Sequence, residues 1–207
     1  MSIILPSGER HETLRTSLAA DGVSVLDRYN AERQDIRAAR IGLLNLMPAP
    51  AMNETETQWM RHIGSGVLQV QPLLVKFDND PRETGSRQEN LERYTPFYDA
   101  TDSGFDGLIV TGDNLELRDT HPRELLPFDE ITYADKLREI MDWAQKNIPF
   151  TIYSCLASHF ALDHRFGIER ELEETKKFGV YSNNVIDTQS PFTSQLNDKI
   201  RAPHSRW

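Results

Sequence analysis

A chain of 207 residues is long enough to bury a hydrophobic core without staples, and its one cysteine excludes an intramolecular disulfide framework. A net charge of −9, with lysines and arginines scattered among acidic residues, excludes the clustered basic surface that nucleic acid requires. No run approaches the roughly 18 apolar residues of a membrane span, and Ile3-Ile4-Leu5 before Pro6 is too short for a signal-peptide core, so the expected compartment is the cytoplasm.

Residues 1–38 are polar and irregularly patterned, and read as an N-terminal arm or short helix lying over one domain that spans 39–207. Arg40 to Leu46 is a short apolar run that stops at Pro48 and reads as a buried strand. Asn53 with Glu56 three residues on resembles a capping box that opens a helix through Trp59, Met60 and Ile63, ended by Gly64 and Gly66. Val67 to Val75 reads as a second strand, with Pro72 arguing for an edge position. Residues 78–104, rich in charge, Asn and Gly, read as a long surface segment. Phe105 to Gly112 supplies a third strand and a glycine turn, and 113–132 a charged loop. Leu137, Ile140, Met141 and Ala144 recur at helical spacing between Asp135 and Lys146, and Asn147 and Pro149 close that helix. Phe150 to Tyr153 is a fourth strand, followed directly by Ser154-Cys155-Leu156-Ala157 and a helical run to His164.

Strands alternating with helices define an α/β class, a mostly parallel sheet flanked by helices on both faces. In such sheets sites gather beyond the carboxyl ends of the strands, here the turn after Val110 and Cys155 just after Tyr153. A thiol at a strand-to-helix turn meets exposed amide dipoles that stabilise a thiolate, depress its pKa and can hold an oxyanion, as in a nucleophile elbow. The competing reading is a small buried core residue. Of the six histidines (His11, His62, His121, His159, His164 and His204), His159 lies one helical turn past Cys155 and His204 sits near the end of the sequence. Neither has a carboxylate at an orienting spacing, and both read as structural. Lys176 on its own reads as a solvated lysine; Asn45 and Asn53 could line a pocket but read first as turn or cap residues. No zinc-ligand spacing occurs, and no metal is expected.

Several motifs, taken in order, resemble the homoserine O-acyltransferases of methionine biosynthesis, called O-succinyltransferase or O-acetyltransferase by donor. They are Ile41-Gly42-Leu43-Leu44-Asn45-Leu46-Met47-Pro48, Glu54-Thr55-Glu56-Thr57-Gln58-Trp59, Phe105 to Gly112, and Pro127-Phe128-Asp129-Glu130-Ile131. Cys155 after a strand, Lys176 ahead of Phe178-Gly179-Val180-Tyr181, and Ala202-Pro203-His204-Ser205-Arg206 complete the series. The resemblance implies a fold like the class I glutamine amidotransferase domain and a ping-pong reaction. The cysteine takes an acyl group from acyl-CoA, a substrate rather than a cofactor, and passes it to the hydroxyl of L-homoserine. Matched position by position, Cys155 is the acyl-thioester nucleophile, Lys176 and Ser205 are substrate contacts, and the Leu156 amide contributes to the oxyanion hole. A homodimer is a further possibility the family carries.

Donor choice in the family turns on one loop position, where glutamate accompanies acetyl-CoA and glycine succinyl-CoA. A carboxylate there repels the succinyl carboxylate and fills its space. An insertion leaves two registers: alignment backward from Leu126-Pro127-Phe128 gives Glu124, the preferred choice because Pro122-Arg123-Glu124 fits the family segment, and alignment forward from Gly112 gives Glu116. Both favour acetyl. Departures are His159 where glutamine is usual and Leu156 where tryptophan is common. The family also continues past Pro-His-Ser-Arg to a Gly-His-Pro-Glu segment with its general base and orienting glutamate, then to an arginine for the homoserine carboxylate. This sequence stops at Trp207, so the expectation is a C-terminally incomplete domain. Alternatives are a non-catalytic relative that binds an amino acid or CoA ester, and a glutamine-amidotransferase-like hydrolase.

Overall fold

A computed structural model describes residues 2–83, 86–119 and 123–207. The sheet begins at the second residue. Strand β1 (Ser2–Ile4) leads into helix α1 (Glu9–Ala20), which returns to β2 (Ser24–Leu26), parallel to β1. Ile3, Leu5, Leu14, Leu18 and Val23 are buried, so the expected N-terminal arm is part of the sheet and its cover. Strands of three residues are too short to display a period, and among its described side chains α1 buries the pair Leu14 and Leu18. Helix α2 (Arg28–Glu32) follows, capped by Asp27, whose Oδ1 accepts the Asn30 amide at 2.7 Å.

Strand β3 (Ala39–Leu44) precedes α3 (Ala49–Gly64). This helix starts four residues before the expected Asn53, because Pro48 occupies the cap and a second proline lies in the first turn, where a missing N–H costs nothing. Glu56 is then free to turn inward. Strand β4 (Val70–Lys76) pairs along its length with β3 and is interior, not an edge. Its other side meets β1 only at Val70 and the short β5 (Thr95–Pro96) only from Val75 on, so Pro72 lies in the gap where no ladder bond is asked of it. The expected surface segment 78–104 contains α4 (Ser86–Leu91), β5 and α5 (Phe97–Thr101), and buries Leu91, Tyr94, Phe97 and Ala100.

Strand β6 (Gly107–Val110) is wholly buried, as a parallel interior strand covered on both faces must be. A 3-10 turn at Phe128–Glu130 leads to α6 (Ala134–Asn147), then β7 (Thr151–Tyr153) and α7 (Leu156–Phe166). A separate antiparallel hairpin joins β8 (Lys177–Asn184) to β9 (Lys199–Arg206). The seven-stranded sheet runs β2-β1-β4-β3-β6-β7, with β5 beside β4 and every pairing parallel. Alternating strand residues feed two cores. Leu43, Leu74 and Ile109 meet Leu14, Leu18, Met52 and Met60 of α1 and α3. Leu44, Val75, Leu108 and Val110 meet Phe97, Leu137, Ile140, Met141 and Phe160 from α5, α6 and α7. The α/β class, with a parallel sheet flanked by helices, is the observed architecture. No helix of the described residues is long and apolar enough to cross a membrane.

Candidate active site

After β3 the chain moves to β4 on one side, and after β6 it moves to β7 on the other. The switch point therefore lies between β3 and β6, and the cleft opens next to it, beyond the carboxyl ends of β6 and β7. Its floor is made by a close approach. A Cβ on Gly112 would stand 2.6 Å from Cys155 Cβ and 3.1 Å from Cys155 Sγ, so only glycine lets the turn after β6 lie against the cysteine. The ladder carries on past β7, with the Ser154 amide donating to Val110 O at 3.0 Å. At Cys155 the chain turns sharply, with φ 55 and ψ −124, a conformation L residues rarely adopt, and Cys155 becomes the N-cap of α7. The Ala157 amide donates to Ser154 O and the Ser158 and His159 amides to Cys155 O, leaving the Leu156 N–H directed at the cysteine sulfur.

Cys155 is exposed to a cleft of about 620 Å³ that also takes in Asp113, Glu116, His159, Lys176, Ser205 and Trp207. Burial under the surrounding protein atoms is the largest influence on the thiol and pushes its pKa up; the Leu156 amide pulls it down, and the Glu116 and Asp113 carboxylates raise it further. The depressed pKa expected from a helix N-terminus is therefore not realised by these residues, because desolvation and two acidic neighbours outweigh one amide.

Five of the six residues singled out from the sequence line this cleft: Glu116, Cys155, Leu156, Lys176 and Ser205. Lys176 lies just before β8, its Nζ 5.7 Å from the Trp207 ring centroid, and Ser205 stands opposite Phe178 across the hairpin. Leu156 buries its side chain and presents only its backbone. Glu116 and the sixth, Glu124, each adjoin the antiparallel bridge between Leu117 and Leu125. Glu116 lines the cleft, its Oε1 3.4 Å from the Trp207 amide, whereas Glu124 is exposed outside it with its carboxylate 3.9 Å from Arg118 Nε. His121 and Pro122 lie outside the described residues.

His159 and His204, which read as structural, both line the cleft. Burial first, then the Arg170 charge, hold the His159 imidazole below its ordinary pKa and therefore neutral at pH 7, against a smaller pull from Glu116. His204 rests edge-on against Tyr181 with centroids 5.3 Å apart. His164 points elsewhere, to Asp142 at 2.8 Å. Asn45 is fully buried beneath the strand ends, donating to Met52 O at 3.1 Å, and Asn53 accepts from Arg93 on the outer side of α3; neither reaches the cleft. Sequence reasoning missed Asp113, whose carboxylate accepts the Tyr133 hydroxyl at 2.8 Å just past the Thr-Gly turn. Among the described residues no group of three or more His, Cys, Asp or Glu is placed to hold a metal.

A strained cysteine that caps a helix directly after a parallel strand, facing a cleft beyond the carboxyl ends of the strands, defines an α/β protein of the nucleophile-elbow class. The homoserine O-succinyltransferase family profile matches residues 7–207, and the chain belongs to that family. It is 37% identical over 190 residues to a homoserine O-acetyltransferase of Roseobacter denitrificans, covering 92% of this chain and 59% of that protein. It is 38% identical over 194 residues to a homoserine O-succinyltransferase of Pelagibacterium halotolerans, covering 93% of this chain and 60% of that protein. The chain thus spans about three-fifths of the length of these relatives. Relatives of both names stand at nearly equal identity.

Proposed function

We propose that this chain carries the acyl-thioester half of a homoserine O-acyltransferase working in cytoplasmic methionine biosynthesis, on a fold of the class I glutamine amidotransferase kind. The observation that carries the reading is Cys155 itself. It is the one nucleophilic thiol, held at a strained helix cap, open to a cleft with Lys176 and Ser205 on its walls. In the first half-reaction the Cys155 thiolate attacks the thioester carbonyl of acyl-CoA and the Leu156 amide receives the developing oxyanion. The tetrahedral adduct collapses by breaking the bond to the CoA sulfur, which leaves as thiolate and takes a proton. In the second half-reaction the homoserine hydroxyl gives up its proton to a base, attacks the acyl carbon and expels the Cys155 thiolate. His159, neutral and in the cleft, is in the protonation state such a base requires. Acetyl is the favoured donor: of the two glutamates, Glu116 faces the cleft, and its carboxylate opposes the distal carboxylate of a succinyl group.

Intact-mass measurement after incubation with acetyl-CoA or succinyl-CoA tests this. An acetyl adduct that disappears in Cys155→Ala is the expected result. A succinyl adduct in preference to acetyl overturns the donor assignment, and no adduct from either on folded protein overturns the thioester reading.

A further inference from the structure

Asp113 and Glu116 both bring carboxylates to the Cys155 cleft, and they are held differently. Asp113 is buried and follows Gly112, the residue whose Cβ would stand 3.1 Å from Cys155 Sγ. Its Oδ2 accepts the Tyr133 hydroxyl at 2.8 Å and its Oδ1 the Asn114 amide at 2.7 Å. Tyr133 is itself fixed. It is buried, its ring stacks on Phe77 with centroids 5.3 Å apart, and Arg82 lies over both rings, pinned by Asp80 at 2.6 and 2.9 Å. Glu116 is half-buried and holds the Trp207 amide only at 3.4 Å. A glutamate has one more side-chain torsion to turn through than an aspartate, and both Asp113 oxygens are already engaged. Lys176 and Arg206 also border the cleft, yet the charges that act on the sulfur are those of Glu116 and Asp113. The field at the nucleophile is therefore negative, and the part of it that cannot move aside belongs to Asp113.

A carboxylate fixed beside a nucleophile repels any electrophile that carries its own negative charge near the reacting carbon, and no side-chain turn relieves the repulsion. We propose that Asp113 is a second specificity-determining residue of this cleft, a fixed carboxylate that keeps dicarboxylic acyl groups such as succinyl or malonyl from Cys155 whichever way Glu116 turns, and leaves uncharged acyl groups free to react. Tyr133 is the positioning residue that holds it there. The inference rests on the acyl-transfer reading for its substrate class, but the charge filter itself is read without any acyl donor.

Alkylation of Cys155, the one cysteine of the chain, by iodoacetamide and by iodoacetate makes the test. In both reactions the same thiolate displaces iodide, so the ratio of the two rates cancels the thiolate fraction and reports the charge that the reagent meets. The expected result is a preference for iodoacetamide in the wild-type protein, relative to free cysteine, that falls by roughly tenfold in Asp113→Asn, the effect of removing a unit charge close by at intermediate dielectric. The asparagine amide oxygen still accepts the Tyr133 hydroxyl, and circular dichroism checks the fold of each variant. Tyr133→Phe, which frees the carboxylate but keeps the ring, is expected to fall between. In Glu116→Gln the preference is expected to persist, and to vanish when Asp113→Asn is added. Acylation by succinyl-CoA and by the uncharged butyryl-CoA, read by intact mass, is expected to shift toward succinyl in Asp113→Asn. A ratio that changes by less than about twofold in Asp113→Asn, or a preference abolished by Glu116→Gln alone, would overturn the proposal. No acyl adduct together with a changed alkylation ratio overturns the thioester reading alone, and adducts with an unchanged ratio overturn the filter alone.

Discussion

Cys155 pays for its position. A non-glycine residue at φ 55, ψ −124 carries strain on the order of 1–3 kcal/mol, sustained because the ladder from β7 and the start of α7 fix the chain on either side. Gly112 is its counterpart, since the nearest atoms to a Cβ there belong to the cysteine. Gly112→Ala is expected to destabilise the fold by about 1–3 kcal/mol, the usual cost of overpacking, measured by urea unfolding, and to change the alkylation rate of Cys155. The thiol's raised pKa makes alkylation slow at neutral pH and faster as pH climbs, because only the thiolate reacts. Glu116→Gln removes one of the charges that raise it, so the midpoint of the iodoacetamide rate against pH is expected to move down. The nucleophile was legible from a single cysteine after a strand. Its electrostatics were not, because Glu116 and Asp113 are about 40 positions away in sequence and reach the thiol only through the β6–β7 pairing.

At the scale of elements, α3 and the stretch after α4 are locked by a buried carboxylate. Glu56 accepts the Tyr94 hydroxyl at 2.5 Å and Arg93 Nη2 at 2.9 Å, while Tyr94 also receives the Asn45 amide at 3.4 Å. Burial is the largest influence and raises the Glu56 pKa against the opposing pull of Arg93 and Tyr94. The folded state therefore holds this proton more tightly than the unfolded chain does. The group's contribution is fully present below the ordinary carboxylate pKa and is lost as pH rises through the folded value. Arg93→Ala leaves the carboxylate uncompensated and is expected to cost about 3–5 kcal/mol at neutral pH, with the deficit shrinking in acid as Glu56 takes up its proton; urea titrations across pH measure both. The same residue explains a misreading. Asn53 and Glu56 have the spacing of a capping box, but two prolines start the helix earlier and the glutamate faces the core. Helix α6, by contrast, was legible in full because Leu137, Ile140, Met141 and Ala144 all face one buried side.

Over the whole molecule, coverage of the sheet is uneven. Ile109 and Ile152 are paired in register on neighbouring strands and point to the same face, yet Ile109 is 2% exposed and Ile152 51%. Helices α1 and α3 cover the sheet as far as β6 and leave this face of β7 open, with Phe150 exposed beside Ile152. Ile109→Ala is expected to cost about 2–5 kcal/mol and Ile152→Ala well under half of that, read from the two denaturation midpoints. What the sequence by itself determined is what local pattern encodes: the α/β alternation, the apolar strands ending at Leu44 and Val110, the strand-to-helix turn that carries Cys155, and the motifs that mark the family. Tertiary structure alone decided that residues 2–26 join the sheet, that Pro72 is interior, and that Glu116 rather than Glu124 faces the cysteine. The physical reason is the range of the interactions. Periodicity and turn chemistry act within a few residues, whereas strand order, burial and the field at a thiol are set by groups that folding brings together from distant parts of the chain.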